Sequence, residues 1–344
     1  MREAIFYEVL NDNIIKCNIC QRHCLISEGL RGYCSTRLNR CGKLFTLSYG
    51  MVSTLSVAPI ERKPLFHFYP GSRWFSLGTL GCNFLCPGCQ NWEIAHIKIP
   101  ECKSEKSSRF IKYVSPKEAI RMAKKEDCIG LSFTYNEPTI WFEYTLDCSK
   151  LAKKEGLLTN YVTNGFITKD ALDEIGEYLD SFRVDVKGFS KKSYSMIAHI
   201  EGFDGIMEVT KRAKHKWDIH IEIITNIIPT FNDDEYQLKG IANWINDELG
   251  ADTPWHLTRF VPNFKLSHID YTPIETLEKA REIGFDSGLL YVYLGNVPGH
   301  KGENTYCPYC NKLLVERDSY SILRCNIIDG KCPVCKKLIA GRWK

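Results

Sequence analysis

The run Cys82-Asn-Phe-Leu-Cys86-Pro-Gly-Cys89 is the sharpest chemical signal in the sequence. Three thiolates on one short loop can ligate three irons of a cubane iron–sulfur cluster. The fourth iron then lacks a protein ligand and can chelate the amino and carboxylate groups of a methionine. An electron passed into the bound sulfonium breaks a carbon–sulfur bond. The protein need only hold, orient and exclude water. A zinc site of three cysteines with His96 as fourth ligand competes on spacing alone. The loop's place directly after a strand-like stretch, Trp74 to Leu80, at the head of a βα array favours the cluster.

Two further groups of thiols stand at ligand spacing. Cys307-Pro-Tyr-Cys310 and Cys332-Pro-Val-Cys335 form a CxxC…CxxC pair suited to tetrahedral zinc, with a single rubredoxin-like iron as competitor. Such a site would fold a tail too short to have its own core. Cys17, Cys20, Cys24 and Cys34 can supply four ligands on a folded loop, with His23 and Cys41 as spares. Zinc and a second cluster both want thiolates, so the metal there stays open. Cys102, Cys128, Cys148 and Cys325 are isolated and read as packed or free thiols.

Sixteen cysteines in 344 residues raise two possibilities, secreted disulfides or intracellular metal ligands. Met1 to Leu10 has no apolar stretch of signal-peptide length, and no run approaches the ~18 apolar residues of a membrane helix. Gaps of two and three residues suit chelation better than chain-spanning disulfides. We therefore expect a reduced, cytoplasmic protein, from an anaerobe given the oxygen sensitivity of exposed clusters. A net charge of +4 gives no basic stripe for nucleic acid or an anionic membrane. A zinc-ribbon binding module is the non-enzymatic alternative, and this modest charge argues against a nucleic-acid version of it.

The elements that must position these groups fall into three zones: a Cys-rich segment 1–70, an alternating βα region 71–298, and a tail 299–344. Strand candidates are Trp74–Leu80, Cys128–Thr134, Leu157–Thr163, Phe182–Lys187, Ile219–Thr225, Trp255–Phe260 and Leu289–Leu294. Helices are expected at Thr139–Glu155, over Leu172, Ile175 and Leu179, and over Leu238, Ile241, Ala242, Ile245 and Leu249. Capping boxes are expected at Ser115–Glu118 and Thr272–Glu275. The charged 101–112 segment reads as a surface loop. Six or more βα units imply a parallel α/β sheet with helices outside. In Phe182–Lys187 one face is Phe182, Val184, Val186 and the other is Arg183, Asp185, Lys187. Three charges on one face suit a barrel interior better than an open sheet covered on both sides.

At this point the chain resembles a known family. The residues PLFHFYPGS (64–72), GCNFLCPGCQNWEIA (81–95), TYNEPT (134–139), WHLTRFVP (255–262) and YVYLGNVPGHKGENTYCPYC (291–310) resemble the radical S-adenosylmethionine (SAM) enzymes of the AmmeMemoRadiSam system. These are relatives of the pyruvate formate-lyase activating enzymes. The resemblance implies a partial (β/α)6-type radical SAM barrel with a zinc-ribbon-like tail. It implies a 4Fe–4S cluster on Cys82, Cys86 and Cys89 that cleaves SAM to a 5′-deoxyadenosyl radical, which abstracts hydrogen from an unknown substrate. It implies that Asn136, Glu137 and Pro138 receive the methionyl amino group, and that Thr163, Asn164 and Gly165 lie near the SAM ribose. Their plain readings are a helix-entry turn and a strand-to-helix turn. Asp185 and Lys187 match a DxK over the methionyl carboxylate and sulfonium, with a mutual ion pair as alternative. His256 and Arg259 match WHxxRF and could face substrate; a satisfied core histidine is as good a reading. A reductant such as flavodoxin or ferredoxin, and functional association with Memo-type and Ammecr1-type proteins, are also implied. A glycyl-radical activase is the second enzymatic reading. Two departures from the wider pattern stand out. Gly88 replaces an aromatic residue before the third cysteine, with Phe84 or Trp92 available to pack adenine, and Val162 replaces an acidic residue before the Thr163-Asn164-Gly165 turn.

Overall fold

The βα alternation expected from the sequence is present throughout the middle of the chain. The structure, a computed structural model, describes residues 1–11, 13–97 and 111–343. Two units are distinguished: Met1–Ala58 with Arg73–Asp180 and Asp204–Ile219, and Pro59–Ser72 with Ser181–Phe203 and His220–Lys344.

In the first unit, strands β1 (Thr54–Pro59), β2 (Arg73–Gly78), β3 (Gly130–Phe133) and β4 (Leu158–Thr163) lie in the order β4-β3-β2-β1. β3 pairs parallel with both β2 and β4. After Arg73 every residue of β2 is buried, as in a parallel strand covered on both faces. Gly130 lets these strands approach: a Cβ there would sit 2.4 Å from the Leu158 carbonyl oxygen and 2.6 Å from the Trp74 ring. Helix α1 (Pro116–Lys125) begins at the expected capping box: the Ser115 hydroxyl accepts from Glu118 N at 3.2 Å, and Pro116 takes the first helical position. A 3-10 turn, Pro138–Trp141, leads into α2 (Phe142–Lys154). Thr168 caps the short α3 (Lys169–Ile175), which gives way to a 3-10 turn, so Leu179 lies past the helix yet stays buried. Ahead of β1, the Cys-rich segment folds into short antiparallel strands, including a three-stranded sheet of Tyr7–Asn11, Ile14–Cys17 and Leu25–Ser27.

In the second unit, β5 (Ser181–Asp185), β6 (His220–Ile227), β7 (Trp255–Arg259) and β8 (Val292–Gly295) run parallel in sequence order. β5 keeps its alternation: Phe182 and Val184 are fully buried, Arg183 and Asp185 half-buried. Helices α4 (Lys191–Ala198) and, in the first unit, α5 (Asp204–Trp217) occupy a stretch in which no element was expected. α6 (Glu235–Trp244) continues through one π turn, Ile245–Leu249, and all five apolar residues expected on its inner face are buried. The tail adds an antiparallel sheet of Thr305–Tyr306, Leu313–Asp318 and Ser321–Cys325. Its core is shared with Phe66, Tyr291 and Tyr293. The last described residues close on the 66–69 segment: Arg342 N donates to His67 O at 2.7 Å and Tyr69 N to Arg342 O at 2.7 Å.

One expectation is overturned. Thr272 does not cap α7 (Ile274–Asp286); Pro273 precedes that helix without any side-chain cap. The Thr272 hydroxyl is taken by the strand ends instead, accepting from Phe260 N at 2.9 Å and donating to Ile227 O at 2.6 Å. Of the 101–112 segment only 111 and 112 are among the described residues, and Lys112 opens a two-residue strand paired with Val52. Cys102 lies outside them.

Candidate functional site

The cysteine loop leaves β2 through Gly81, whose φ of +87° lies in the left-handed region. A Cβ there would also meet Cys34 O at 2.6 Å, so both conformation and space demand glycine. Phe84 N donates to Cys82 Sγ at 3.4 Å, and Cys89 N to Cys86 O at 3.2 Å. These turns bring the three half-buried thiols onto one loop. Burial pushes the Cys82 thiol well up, and Glu137, Cys86 and Cys89 add to it. A metal that binds such a thiol must displace its proton, because the thiolate is the ligand. The donor set, three thiols with an N–H directed at sulfur, fits an iron–sulfur cluster with one open iron.

Two other loop ends are bound to this one within the first unit. Asn136 Oδ1 accepts from Thr79 N at 3.2 Å, and its Nδ2 donates to Gly81 O at 2.7 Å. Asn164 Nδ2 donates to Asn83 Oδ1 at 2.8 Å. Between them stands Glu137, 2% exposed. Its Oε1 accepts from Thr139 N, Thr139 Oγ1 and Thr163 Oγ1 at 3.0, 2.6 and 2.7 Å; its Oε2 accepts from Asn164 N at 2.8 Å. Burial raises the Glu137 carboxyl, opposed by those donors. Oε2 takes a single bond and keeps acceptor capacity for an ammonium group. Gly165, at φ +71°, donates its N–H to Thr163 Oγ1 at 3.0 Å. Pro138 is buried at the head of the 3-10 turn. The structure thus joins Cys82–Cys89, Asn136–Pro138 and Thr163–Gly165 through Asn83, Glu137 and Asn164. Of the two aromatic residues that could serve adenine, Phe84 is buried against Phe166, while Trp92 is 39% exposed.

Asp185, Lys187, His256 and Arg259 belong to the second unit. Asp185 accepts from both Arg183 and Lys187, the latter at 3.3 Å. Against burial, which pushes it up, Arg183 and Lys187 hold its carboxyl below the ordinary range. Arg259 Nε donates to Thr272 O at 2.8 Å, with the guanidinium over Tyr271. His256 is buried, bonded through Nε2 to Glu222 at 2.6 Å and stacked on Tyr293.

Glu222 is the residue that sequence reasoning missed. Its fully buried carboxylate also accepts from Phe66 N, His67 N and His220 Nε2, at 3.0, 2.8 and 3.0 Å. Burial pushes it up, but His220 and His256 hold it well below the carboxylate range. The available signal was an acidic residue between Ile221 and Ile223 inside a strand, with a histidine two positions earlier. Beside it, burial pushes His67 down to about 3, a neutral ring between Ala340 O and the Tyr293 hydroxyl, each at 2.5 Å.

In the tail, the sulfurs of Cys307, Cys310, Cys332 and Cys335 all lie within 4.8 Å of one another, two pairs at 3.5 and 3.6 Å. Tetrahedral thiolates at ~2.3 Å from a metal sit about 3.8 Å apart, so this four-Cys cluster is capable of metal ligation. Against burial, the N–H groups of Cys335 and Val334 hold the Cys332 thiol down to about 6.

The arrangement of the first unit defines a class: α/β proteins with a three-thiol loop after an early parallel strand, tied to the loop ends of the next two strands. The radical SAM superfamily model matches residues 77–238, which contain that loop and its partners. The chain is 42% identical over 341 residues to the Methanocaldococcus jannaschii protein MJ0808, covering 98% of this chain and 99% of that one. It is 25% identical over 229 residues to the putative glycyl-radical enzyme activating enzyme MJ1632 of the same organism, covering 64% and 78%. It is 25% identical over 215 residues to the pyruvate formate-lyase-activating enzyme of Clostridium pasteurianum, covering 58% and 83%. The chain belongs to the radical SAM superfamily and is related to these activating enzymes. It is an enzyme of SAM-dependent radical generation. When bound, a 4Fe–4S cluster supplies the open iron and the electron that turn SAM into a 5′-deoxyadenosyl radical. Among the described residues no helix is long and apolar enough to cross a membrane.

Proposed function

We propose that this protein is a cytoplasmic radical SAM enzyme of the AmmeMemoRadiSam type, acting by hydrogen abstraction on a small molecule or a residue of a partner protein. In this reading residues 71–298 form a partial (β/α)6-type barrel, 1–70 a Cys-rich segment and 299–344 a zinc-ribbon-like tail with zinc on Cys307, Cys310, Cys332 and Cys335. Cys82, Cys86 and Cys89 hold the cluster. Glu137, Asn136 and the Thr163-Asn164-Gly165 turn orient the methionyl and ribose ends of SAM. Pro138 fixes the turn, and the Asp185–Lys187 pair lies over the methionyl carboxylate and sulfonium. His256, held by Glu222, positions its strand, and Arg259 at the end of β7 is the candidate for substrate contact. Flavodoxin or ferredoxin would supply electrons, and Memo-type and Ammecr1-type proteins are candidate associates.

The observation that carries this reading is Glu137, a buried carboxylate joined to the Thr163–Asn164 turn and standing beside Cys82. Such a carboxylate is poised for an ammonium ligand. The test is iron, sulfide and zinc content with resonance spectra of the reduced, anaerobically reconstituted protein, before and after SAM. Cys86→Ala should abolish SAM cleavage and leave tail zinc bound. Retained cleavage in that variant would sink the site assignment.

The names of two relatives favour a second reading, a glycyl-radical activase acting on the glycine loop of a large enzyme. A glycyl radical on a partner, seen by electron paramagnetic resonance, would establish it.

A further inference from the structure

Cys17, Cys20, Cys24 and Cys34 lie on one folded segment of the first unit. Cys17 N donates to Cys24 O at 2.9 Å and His23 N to Cys20 O at 3.1 Å, while a Cβ at Gly32, two residues before Cys34, would sit 3.8 Å from Cys24 Cβ. Beside them stands Arg37, 1% exposed. Its Nη1 pairs with Glu143 at 2.6 Å and its Nη2 donates to Ile140 O at 3.3 Å. Its Nε–H has no hydrogen-bond partner among the described residues. A buried donor without an acceptor is expensive. Arg37 Cβ would lie 3.7 Å from that same Gly32 Cβ, which places the side chain beside Cys24 and three residues after Cys34. A neutral thiol is a weak acceptor, whereas a metal-held thiolate is a strong one, and it would satisfy this buried cation.

The same segment grips two loops of the candidate SAM site. Gln21 N donates to Phe166 O at 3.0 Å and Thr168 N to Ile19 O at 3.2 Å, with Cys20 bridged to Ile167 between them. Residues 166–168 directly follow the Thr163-Asn164-Gly165 turn. On the other side Arg22 Nε donates to Asn83 O, inside the cysteine loop, at 2.7 Å. Cys34 O is the atom that forbids a Cβ at Gly81, one residue before Cys82. Every grip therefore arises at one of the four cysteines or within two residues of one.

We propose that Cys17, Cys20, Cys24 and Cys34 hold a thiophilic tetrathiolate metal centre that clamps the cysteine loop and the 163–168 turn in the geometry that receives SAM. The proposal rests on reading Cys82, Cys86 and Cys89 as the SAM-cluster ligands. The centre is a positioning device: it touches neither SAM nor substrate, and it fixes both loops through one anchored segment.

The test uses the full chain, anaerobically reconstituted, with metal and sulfide analysis, SAM affinity by equilibrium dialysis and resonance spectra with and without SAM. Cys24→Ser should lose one metal centre, with zinc or iron and sulfide analysis naming which, and weaken SAM binding by at least about 10-fold. Arg22→Met leaves all four thiols in place and should keep the metal while shifting the SAM-dependent spectrum and weakening SAM binding. Cys86→Ala should lose the SAM response and keep this centre. Wild-type metal content in Cys24→Ser overturns the site. Wild-type SAM affinity and spectrum in both Cys24→Ser and Arg22→Met overturn the clamp. A normal SAM response in Cys86→Ala would instead overturn the SAM-cluster reading, so the two failures are read separately.

Discussion

The thiol groups at residues 82–89 and 307–335 use the same side chain for opposite ends. In the tail four sulfurs close on one another within 4.8 Å and leave no position for another ligand. On the loop after β2 only three thiols are offered, half-buried, with the buried carboxylate of Glu137 and the half-buried amide of Asn136 bound around that loop. A closed set of ligands contributes folding energy, whereas an open set leaves a coordination position for chemistry. The surroundings follow suit: Cys307, Cys332 and Cys335 pack among apolar side chains, and the loop is bound by a polar network.

The sharpest way to break this contrast is to exchange the losses. Cys86→Ala, proposed above, should remove activity and keep the tail metal. Cys332→Ser should do the reverse: the tail metal is lost, the second unit melts at lower temperature, and the SAM-dependent spectrum persists, as metal analysis and calorimetry on one sample would show. If Cys332→Ser loses the spectrum as well, the two sites are not separable. The pH dependence of stability is the next largest effect. His67 titrates near 3 when folded and about 6.5 when unfolded. The unfolded chain therefore binds the extra proton first, so stability is full above about pH 6.5 and declines as pH falls towards 3. Glu222, held below its ordinary range, adds to the loss at the acid end. The slope is at most about 1.4 kcal/mol per pH unit for one such group, and His67→Gln should flatten it in urea titrations. Glu137→Gln should cost about 1.5–3 kcal/mol, because an amide nitrogen replaces one acceptor among N–H and O–H donors. SAM affinity should fall with it. The smallest effect is local: Ser115→Ala should cost about 1 kcal/mol through the lost cap of α1, without touching either thiol group.

What was legible in the sequence was local. Cysteine spacing, the Ser115 box and the two-residue alternation of β5 are each set by residues within a few positions of one another, so the pattern carries the answer. The misreading of Thr272 shows the limit. Its neighbours spell a capping box, but Phe260 N and Ile227 O, 12 and 45 positions away, claim the hydroxyl. Glu222 was invisible for a related reason: its four donors come from residues 66, 67, 220 and 256, and only one lies nearby in sequence. Helix α5 escaped because its buried stripe is short and mixed: Ile206, Met207, Val209, Thr210 and Ala213 include a polar residue and small side chains. The reach of Arg22 to Asn83 likewise has no local signature.

The pairing of Arg342 with the 67–69 segment sets an order on biogenesis. Synthesis runs from the N-terminus, so Phe66–Tyr69 leaves the ribosome hundreds of residues before the backbone that will pair with it. Until residues 339–343 emerge, His67 lacks its Ala340 acceptor and the Phe66 cluster lacks Cys332 and Ile339. The first unit, whose last segment ends at Ile219, can assemble during translation; the second must wait for nearly all of its chain. A nascent chain stalled late in the tail would thus present an apolar 66–69 segment to chaperones, and a fusion joined directly after Trp343 would burden the step that completes the fold.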